Sequence, residues 1–168
     1  MTTTNNSTST PATQQPGTAP RELVLTRIID APRELVFQAW TDPQHLAQWW
    51  GPQHFTNPVC EVDLRPGGAI RIDMRGPDGI IYPLQGVFRE VVAPERLVFT
   101  NDALDAAGQP MIEGLTTVTF AEHEGKTLLT VHDWISKATP AAAGALAGME
   151  EGWNESLDRL AALPALNQ

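Results

Sequence analysis

The sequence is short of cysteine, of basic residues and of long apolar runs, and each shortage removes a class of function. Cys60 is its single cysteine, so neither an internal disulfide nor a multi-thiolate metal site can form, which fits a reducing, cytoplasmic setting. Lys and Arg number 11 against 20 Asp and Glu, giving a net charge of -9 at pH 7. Such a chain repels polyanions and has few cations with which to displace counterions from DNA or RNA, so nucleic acid is not an expected partner. No stretch approaches the run of about 18 apolar residues that a membrane-spanning helix needs, and the N-terminus lacks the apolar core of a secretory signal. A G-x-S-x-G elbow is missing too, as is a glycine loop opening a helix to cradle phosphate. No cofactor is expected.

What is present suits one domain. The chain has 168 residues, 42% of them hydrophobic, enough for one core and cramped for two. Residues 1–20 carry no charge and little apolar surface, so they read as a disordered tail unable to offset its chain entropy. The domain then spans 21–163, with 164–168 as a short C-terminal tail. ELVLTRII reads as a first strand, and Ala31-Pro32 ends it and opens a helix with Leu35, Val36, Ala39 and Trp40 on one stripe. Asp42-Pro43 repeats the start signal, an N-cap followed by a first-turn proline, for a second short helix.

Six more strands fit over 59–64, 69–75, 80–92, 96–100, 113–122 and 126–134, with a longer loop across 101–110. Pro66-Gly67-Gly68 and Gly76-Pro77-Asp78-Gly79 are tight-turn sequences, and consecutive hairpins predict an antiparallel meander. In 69–75 the apolar Ile70, Ile72 and Met74 alternate with Arg71, Asp73 and Arg75, so one sheet face is dry and the other wet. The last segment predicts a long helix, with Thr139 as N-cap, Pro140 in the first turn and Pro164 as the stop. Its apolar stripe is Leu146, Met149, Trp153, Leu157 and Leu160. The expected fold is α+β: a helix-grip arrangement in which a curved antiparallel sheet of six to seven strands wraps around the C-terminal helix, with two short helices after strand one. Such a sheet can leave a cavity beneath the helix.

Several residues could serve that cavity. The alternation Leu129, Val131, Asp133, Ile135 puts the Asp133 carboxylate on the dry face, where it needs a partner or a raised pKa. It either anchors a polar ligand group or acts as a base, or it is a strand-end residue reaching solvent or an arginine. The pair Trp49-Trp50 either lines a pocket mouth or divides between core and edge. Ile70, Ile72, Met74, Phe120, Leu129, Val131, Met149 and Trp153 face the same alternatives, core if packed tightly and cavity wall if spaced apart. Tyr82 is a further candidate for orienting a ligand. Gly144, Gly148 and Gly152 recur every fourth position inside the last helix, where each costs roughly 1 kcal/mol relative to alanine. They signal either close approach to the sheet or a segment soft enough to move when a ligand enters. The histidines His45, His54, His123 and His132 stand at no metal-binding or triad spacing. His132 and Asp133 point to opposite faces, and Cys60 has no positive neighbour to activate it. No catalytic residue and no metal ligand is assigned.

Four separated blocks also carry a family signature: LTRIIDAPRELVFQAWTDPQHLAQWWGPQHFTNP, DLRPGGAIRIDMRGPDG, GVFREVVAPERLVFTN and GMEEGWNESLDRLA. In this order they resemble the single-domain homologues of the heat-shock protein 90 ATPase activator, within the START-like, birch-pollen-allergen-like superfamily. The resemblance covers about residues 22–163 and is most specific at Ala31-Pro32, Trp40 to Pro43, Trp49-Trp50-Gly51, Asp63 to Gly68 and Gly152-Trp153. It implies the helix-grip fold with a hydrophobic cavity, in a superfamily that includes lipid carriers, plant ligand-binding proteins and polyketide cyclases. The eukaryotic activators pair such a domain with a second, N-terminal one, where this chain has only its 20-residue tail. The inward strand residues and the stripe around Trp153 make the expected function non-enzymatic binding of a small apolar, lipid- or polyketide-like molecule. A chaperone-interacting module and a cyclase-type enzyme using Asp133 are the alternatives.

Overall fold

Residues 21–167 are described in the computed structural model, and the tail expected over 1–20 lies outside the described residues. Seven strands, β1 (Arg21–Ile29), β2 (Thr56–Val62), β3 (Ala69–Arg75), β4 (Ile81–Val92), β5 (Arg96–Leu104), β6 (Pro110–His123) and β7 (Lys126–Ala138), form one antiparallel sheet ordered β1-β7-β6-β5-β4-β3-β2. From β2 to β7 each neighbour in space is the neighbour in sequence, so tight turns determine the topology. Gly67 and Gly79 sit at their tips with φ of +83°, a backbone region that favours glycine. β1 is the exception. It pairs with β7, from Arg21 opposite Ile135 to Ile29 opposite Thr127, and the chain must then reach β2 at the opposite edge. Helices α1 (Arg33–Thr41) and α2 (Pro43–Trp49) make that crossing.

The two helices start and pack for identifiable reasons. The Asp42 carboxylate accepts a hydrogen bond from the Gln44 amide at 2.9 Å, capping α2 as its sequence predicts. α1 buries Val36, Phe37, Ala39 and Trp40, whereas Leu35 is only half-buried. Trp49 is fully buried and donates its indole N–H to the Ala39 carbonyl at 2.9 Å, so it locks α2 onto α1. The rings of Trp40 and Trp49 meet edge to face with their centroids 4.7 Å apart, within the range where an aromatic pair adds to the burial of its area.

Three expectations need correction. β5 runs on to Leu104, so Asn101 to Leu104 are strand rather than loop, paired Asn101 to Gly114 and Ala103 to Ile112. Asn and Asp favour turns locally, but pairing with β6 overrides that preference. The terminal helix is not continuous: a 3-10 turn (Pro140–Ala142) leads into α3 (Ala143–Ala147), the chain breaks at Gly148, and α4 (Met149–Ala161) follows. The Thr139 hydroxyl makes no capping bond, because the tighter turn satisfies the Ala142 amide through the Thr139 carbonyl at 2.9 Å. After Pro164 the chain does not trail away. Pro164–Asn167 form a last 3-10 turn that buries Leu166 in the main core with Leu163.

Three arginines tie the C-terminal helices down. Arg21 donates to the Leu146 carbonyl at 2.6 Å, and Arg27 reaches from β1 to Asp158 at 2.6 Å and to the Asn154 side chain at 3.0 Å. Arg159 binds the opposite wall. Its guanidinium donates to the carbonyls of Trp50, Gly51 and Pro52 at 3.0 to 3.2 Å and of Gln48 at 3.0 Å, satisfying the backbone where α2 ends. Arg159→Ala should therefore destabilise the fold by roughly 1–3 kcal/mol in urea unfolding. Arg159→Lys should recover only part of that loss, since one ammonium cannot span the carbonyls a planar fork reaches.

Candidate functional site

The inner face of the sheet divides into a packed half and an open half. In the packed half Leu157 and Leu160 of α4 are fully buried against the sheet, in one cluster with Ile72, Phe120, Leu129 and Val131. In the open half α3 and the first turns of α4 stand off the strands and leave a cavity of about 400 Å³, open to solvent on one side. Its floor comes from the ends of five strands: Met74, Tyr82 and Leu84, then Asn101 and Ala103, Met111 and Ile112, and finally Asp133 and Ile135. Its roof is Gly144, Gly148, Met149, Gly152 and Trp153, and the segment from Trp50 to Phe55 closes one flank. A second small apolar cluster, Ile112, Ile135, Ala138, Ala142 and Leu146, seals the far end.

Of the residues expected to face a ligand, the cavity is lined by Trp50, Met74, Tyr82, Asp133, Met149 and Trp153. Ile70, Ile72, Phe120, Leu129 and Val131 are buried in the packed half instead. They have the right face but the wrong end of the strands, a coordinate that alternation cannot supply. The tryptophan pair divides: Trp49 plugs the core and Trp50 lines the cavity. Tyr82 stands at the rim, 36% exposed, with its hydroxyl 3.3 Å from Asp78. The glycines do not mark close approach to the sheet. A Cβ at Gly144 would meet nothing within 4 Å, one at Gly148 only the Gly144 carbonyl at 3.8 Å, and one at Gly152 the ring of Pro52 at 3.5 Å.

Asp133 is the one carboxylate in this lining. It is 2% exposed and neither reaches solvent nor pairs with an arginine. Its Oδ1 accepts from the Thr116 hydroxyl at 2.9 Å, and its Oδ2 from the Trp153 indole N–H at 3.2 Å. Thr116 lies directly opposite Asp133 in the β6–β7 ladder, and its hydroxyl accepts in turn from the Asn101 amide at 3.4 Å. Sequence reading missed Thr116 and Asn101. The inward alternation Gly114, Thr116, Val118, Phe120 carried the signal for the first, while the loop assigned over 101–110 hid the second. Burial pushes the Asp133 carboxyl above the ordinary carboxylate range; the hydrogen bonds from Thr116 and Trp153 offset part of this, and His132 across the sheet contributes a smaller opposing pull. Cys60 is no nucleophile. Burial, with Asp42 and Glu61 nearby, pushes its thiol up to about 11. Among the described residues no group of His, Cys, Asp and Glu could hold a metal.

A raised native pKa means that the folded chain binds more protons than the unfolded one between the two pKa values. Stability therefore falls as pH rises through that interval, and above it the ionised carboxylate is carried at full cost. Asp133→Asn removes the charge but keeps an acceptor for Trp153. We expect the variant to be at least as stable as the parent in urea unfolding at pH 7.5. That advantage should shrink as pH falls toward about 4, where a free carboxyl also protonates. A variant clearly less stable at pH 7.5 would overturn this account of the site.

The same frame occurs in other proteins. Solved structures similar to this chain include a protein from Chromobacterium violaceum, at 32% identity and TM-score 0.71, covering 84% of this chain and 95% of that one. A solution structure of a protein from Arthrobacter aurescens reaches TM-score 0.76 at 27% identity, with 84% of each chain covered. The AHSA1 protein from Silicibacter pomeroyi gives 0.73 at 26% identity, covering 88% of this chain and all of that one. Among functionally curated proteins nothing matches. Residues 30–165 match the family described as activator of Hsp90 ATPase homolog 1-like protein. That span runs from the end of β1 to the final turn and takes in both helices of the crossing, every strand of the meander and the whole cavity wall, and the chain belongs to that family.

Proposed function

We propose that the chain is a cytoplasmic binding protein that holds a small, largely apolar, lipid- or polyketide-like molecule between the sheet and the C-terminal helices without converting it. The observation that carries this reading is the cavity of about 400 Å³ with its apolar, thioether and aromatic wall. A ligand that buried about 300 Å² of apolar surface there would gain roughly 7 kcal/mol before the costs of association. Cyclase-type chemistry finds less support. Acid-base catalysis of that kind uses paired titratable groups with separated pKa values; the lining has only Asp133 and Tyr82, and Tyr82 is engaged at the rim.

The roof glycines offer a direct test. Gly144, inside α3, and Gly148, at the break before α4 with a φ of -93° that other residues also adopt, have free space where a side chain would begin, and replacing a glycine at a position of compatible backbone stabilises by about 0.4–1 kcal/mol through the unfolded chain. Gly148→Leu should keep or raise the melting temperature, while weakening binding of a neutral fluorescent probe such as N-phenyl-1-naphthylamine at least tenfold. Unchanged probe affinity in this variant would remove the cavity as the binding site.

A chaperone-associated role draws on the family description and on Trp134 and Leu115, paired partners on the outer sheet face that stay 39% and 36% exposed. That reading predicts a stimulated ATPase rate when the protein is mixed with the Hsp90 chaperone, lost in Trp134→Ser. No stimulation at saturating protein would end it.

A further inference from the structure

Among the described residues the cavity's one buried carboxylate has no cationic partner, and neither Lys nor Arg lines the cavity. Among the described residues the ion pairs join Arg27 to Asp158, His45 to Asp42, Arg65 to Asp63, Arg71 to Asp73, Arg96 to Glu90, His132 to Glu22 and Lys137 to Glu113, and none includes Asp133. His132 is its neighbour in sequence but projects to the outer face and holds Glu22.

The hydrogen bonds around Asp133 all run one way. The Asn101 amide donates to the Thr116 hydroxyl, the Thr116 hydroxyl donates to Oδ1, and the Trp153 indole, which can only donate, is directed at Oδ2. A relay of donors converging on a carboxyl group favours its ionised form, because each bond strengthens with the charge it meets. Only one lone pair on each oxygen is engaged. The rest of the group faces a cavity that also presents the rings of Trp50, Phe55 and Trp153, and aromatic faces attract a cation.

We propose that the ligand of this cavity is an apolar molecule bearing a protonated amine, whose nitrogen donates to Asp133 while its hydrocarbon part lies along Met74, Met111 and Met149. The proposal rests on the apolar-binding reading and adds the polar anchor to it. An anionic lipid is disfavoured at the same site, since its carboxylate would meet Asp133 with no cation between them. A neutral alcohol can donate one hydrogen bond there but supplies no counter-charge.

Three probes that share one tail and differ in head group test this: decylamine, decanol and decanoate, titrated by calorimetry at pH 7.5 against the full chain. The parent protein should bind decylamine at least tenfold more tightly than decanol, with decanoate weakest. In Asp133→Asn the ratio of amine to alcohol affinity should fall at least tenfold. Because the chain carries a net charge of -9, non-specific attraction of the amine is common to both proteins, and the difference between them reports the site. A melting curve for the variant checks that it is folded. Equal binding of amine and alcohol by the parent would overturn the amine proposal and leave apolar binding standing. An amine-to-alcohol ratio undiminished in Asp133→Asn would also overturn it, because the cation would then be held elsewhere. Binding of none of the three would overturn the apolar-binding reading as well.

Discussion

The inner face depends on where Trp153 sits. Its ring stacks on Trp40 at 6.2 Å, meets Trp50 edge-on at 5.4 Å and directs its N–H at Asp133. C-terminal to it, α4 belongs to the core, with Leu157 and Leu160 fully buried. N-terminal to it the helix becomes a wall, with Gly152, Met149 and Gly148 over open space. A buried tryptophan is a rigid spacer of large area, held at a fixed height by the two indoles beneath it. A void in an apolar interior gives up dispersion contacts on every lining atom and tends to collapse unless its frame resists. Here the frame is Trp153 at one end, the Leu146 cluster at the other, and Arg21, Arg27 and Arg159 holding the helices from both sides.

Much of the fold was legible because its signals are local. β3 carries the boundaries its alternation predicts, the turns at Gly67 and Gly79 adopt the backbone their glycines suggest, and Asp42 caps α2. The reading failed where long-range pairing or tertiary shape decided the outcome. Asn101 to Leu104 look like a turn until β6 is beside them, and the helix predicted from Thr139 onward is broken at Gly148, where the chain must pass over a gap. Leu166 follows a proline and looks terminal, yet the main core has room for it.

The candidate site was legible in part for a related reason. A period of two assigns a residue to a face but says nothing about position along the strand. Alternation therefore assigned Met74 and Asp133, which line the cavity, to the inner face, and by the same logic brought along Ile72 and Val131, which lie at the packed end. Distance from the wedge at Trp153 separates the two groups, and that distance exists only after the sheet has curved and the helix has docked. Thr116 illustrates the point from the other side. Its inward register was readable, but its role as donor to Asp133 follows from the pairing of β6 with β7.

Three features that each oppose stability meet at one place: a carboxylate buried with no cation beside it among the described residues, a cavity between sheet and helices, and roof glycines at Gly144, inside α3, and at Gly148, where the helix breaks. Each has a single-residue remedy that the local geometry allows, since Asp133 could be an amide and Gly144 and Gly148 have room for side chains. A fold shaped by packing alone would scatter such defects, and most proteins confine them to sites that do work. The proposed cationic amphiphile would offset all three together, with its head group neutralising Asp133 and its tail filling the space the glycines leave. On that proposal a ligand that binds only the folded chain would raise its stability by mass action.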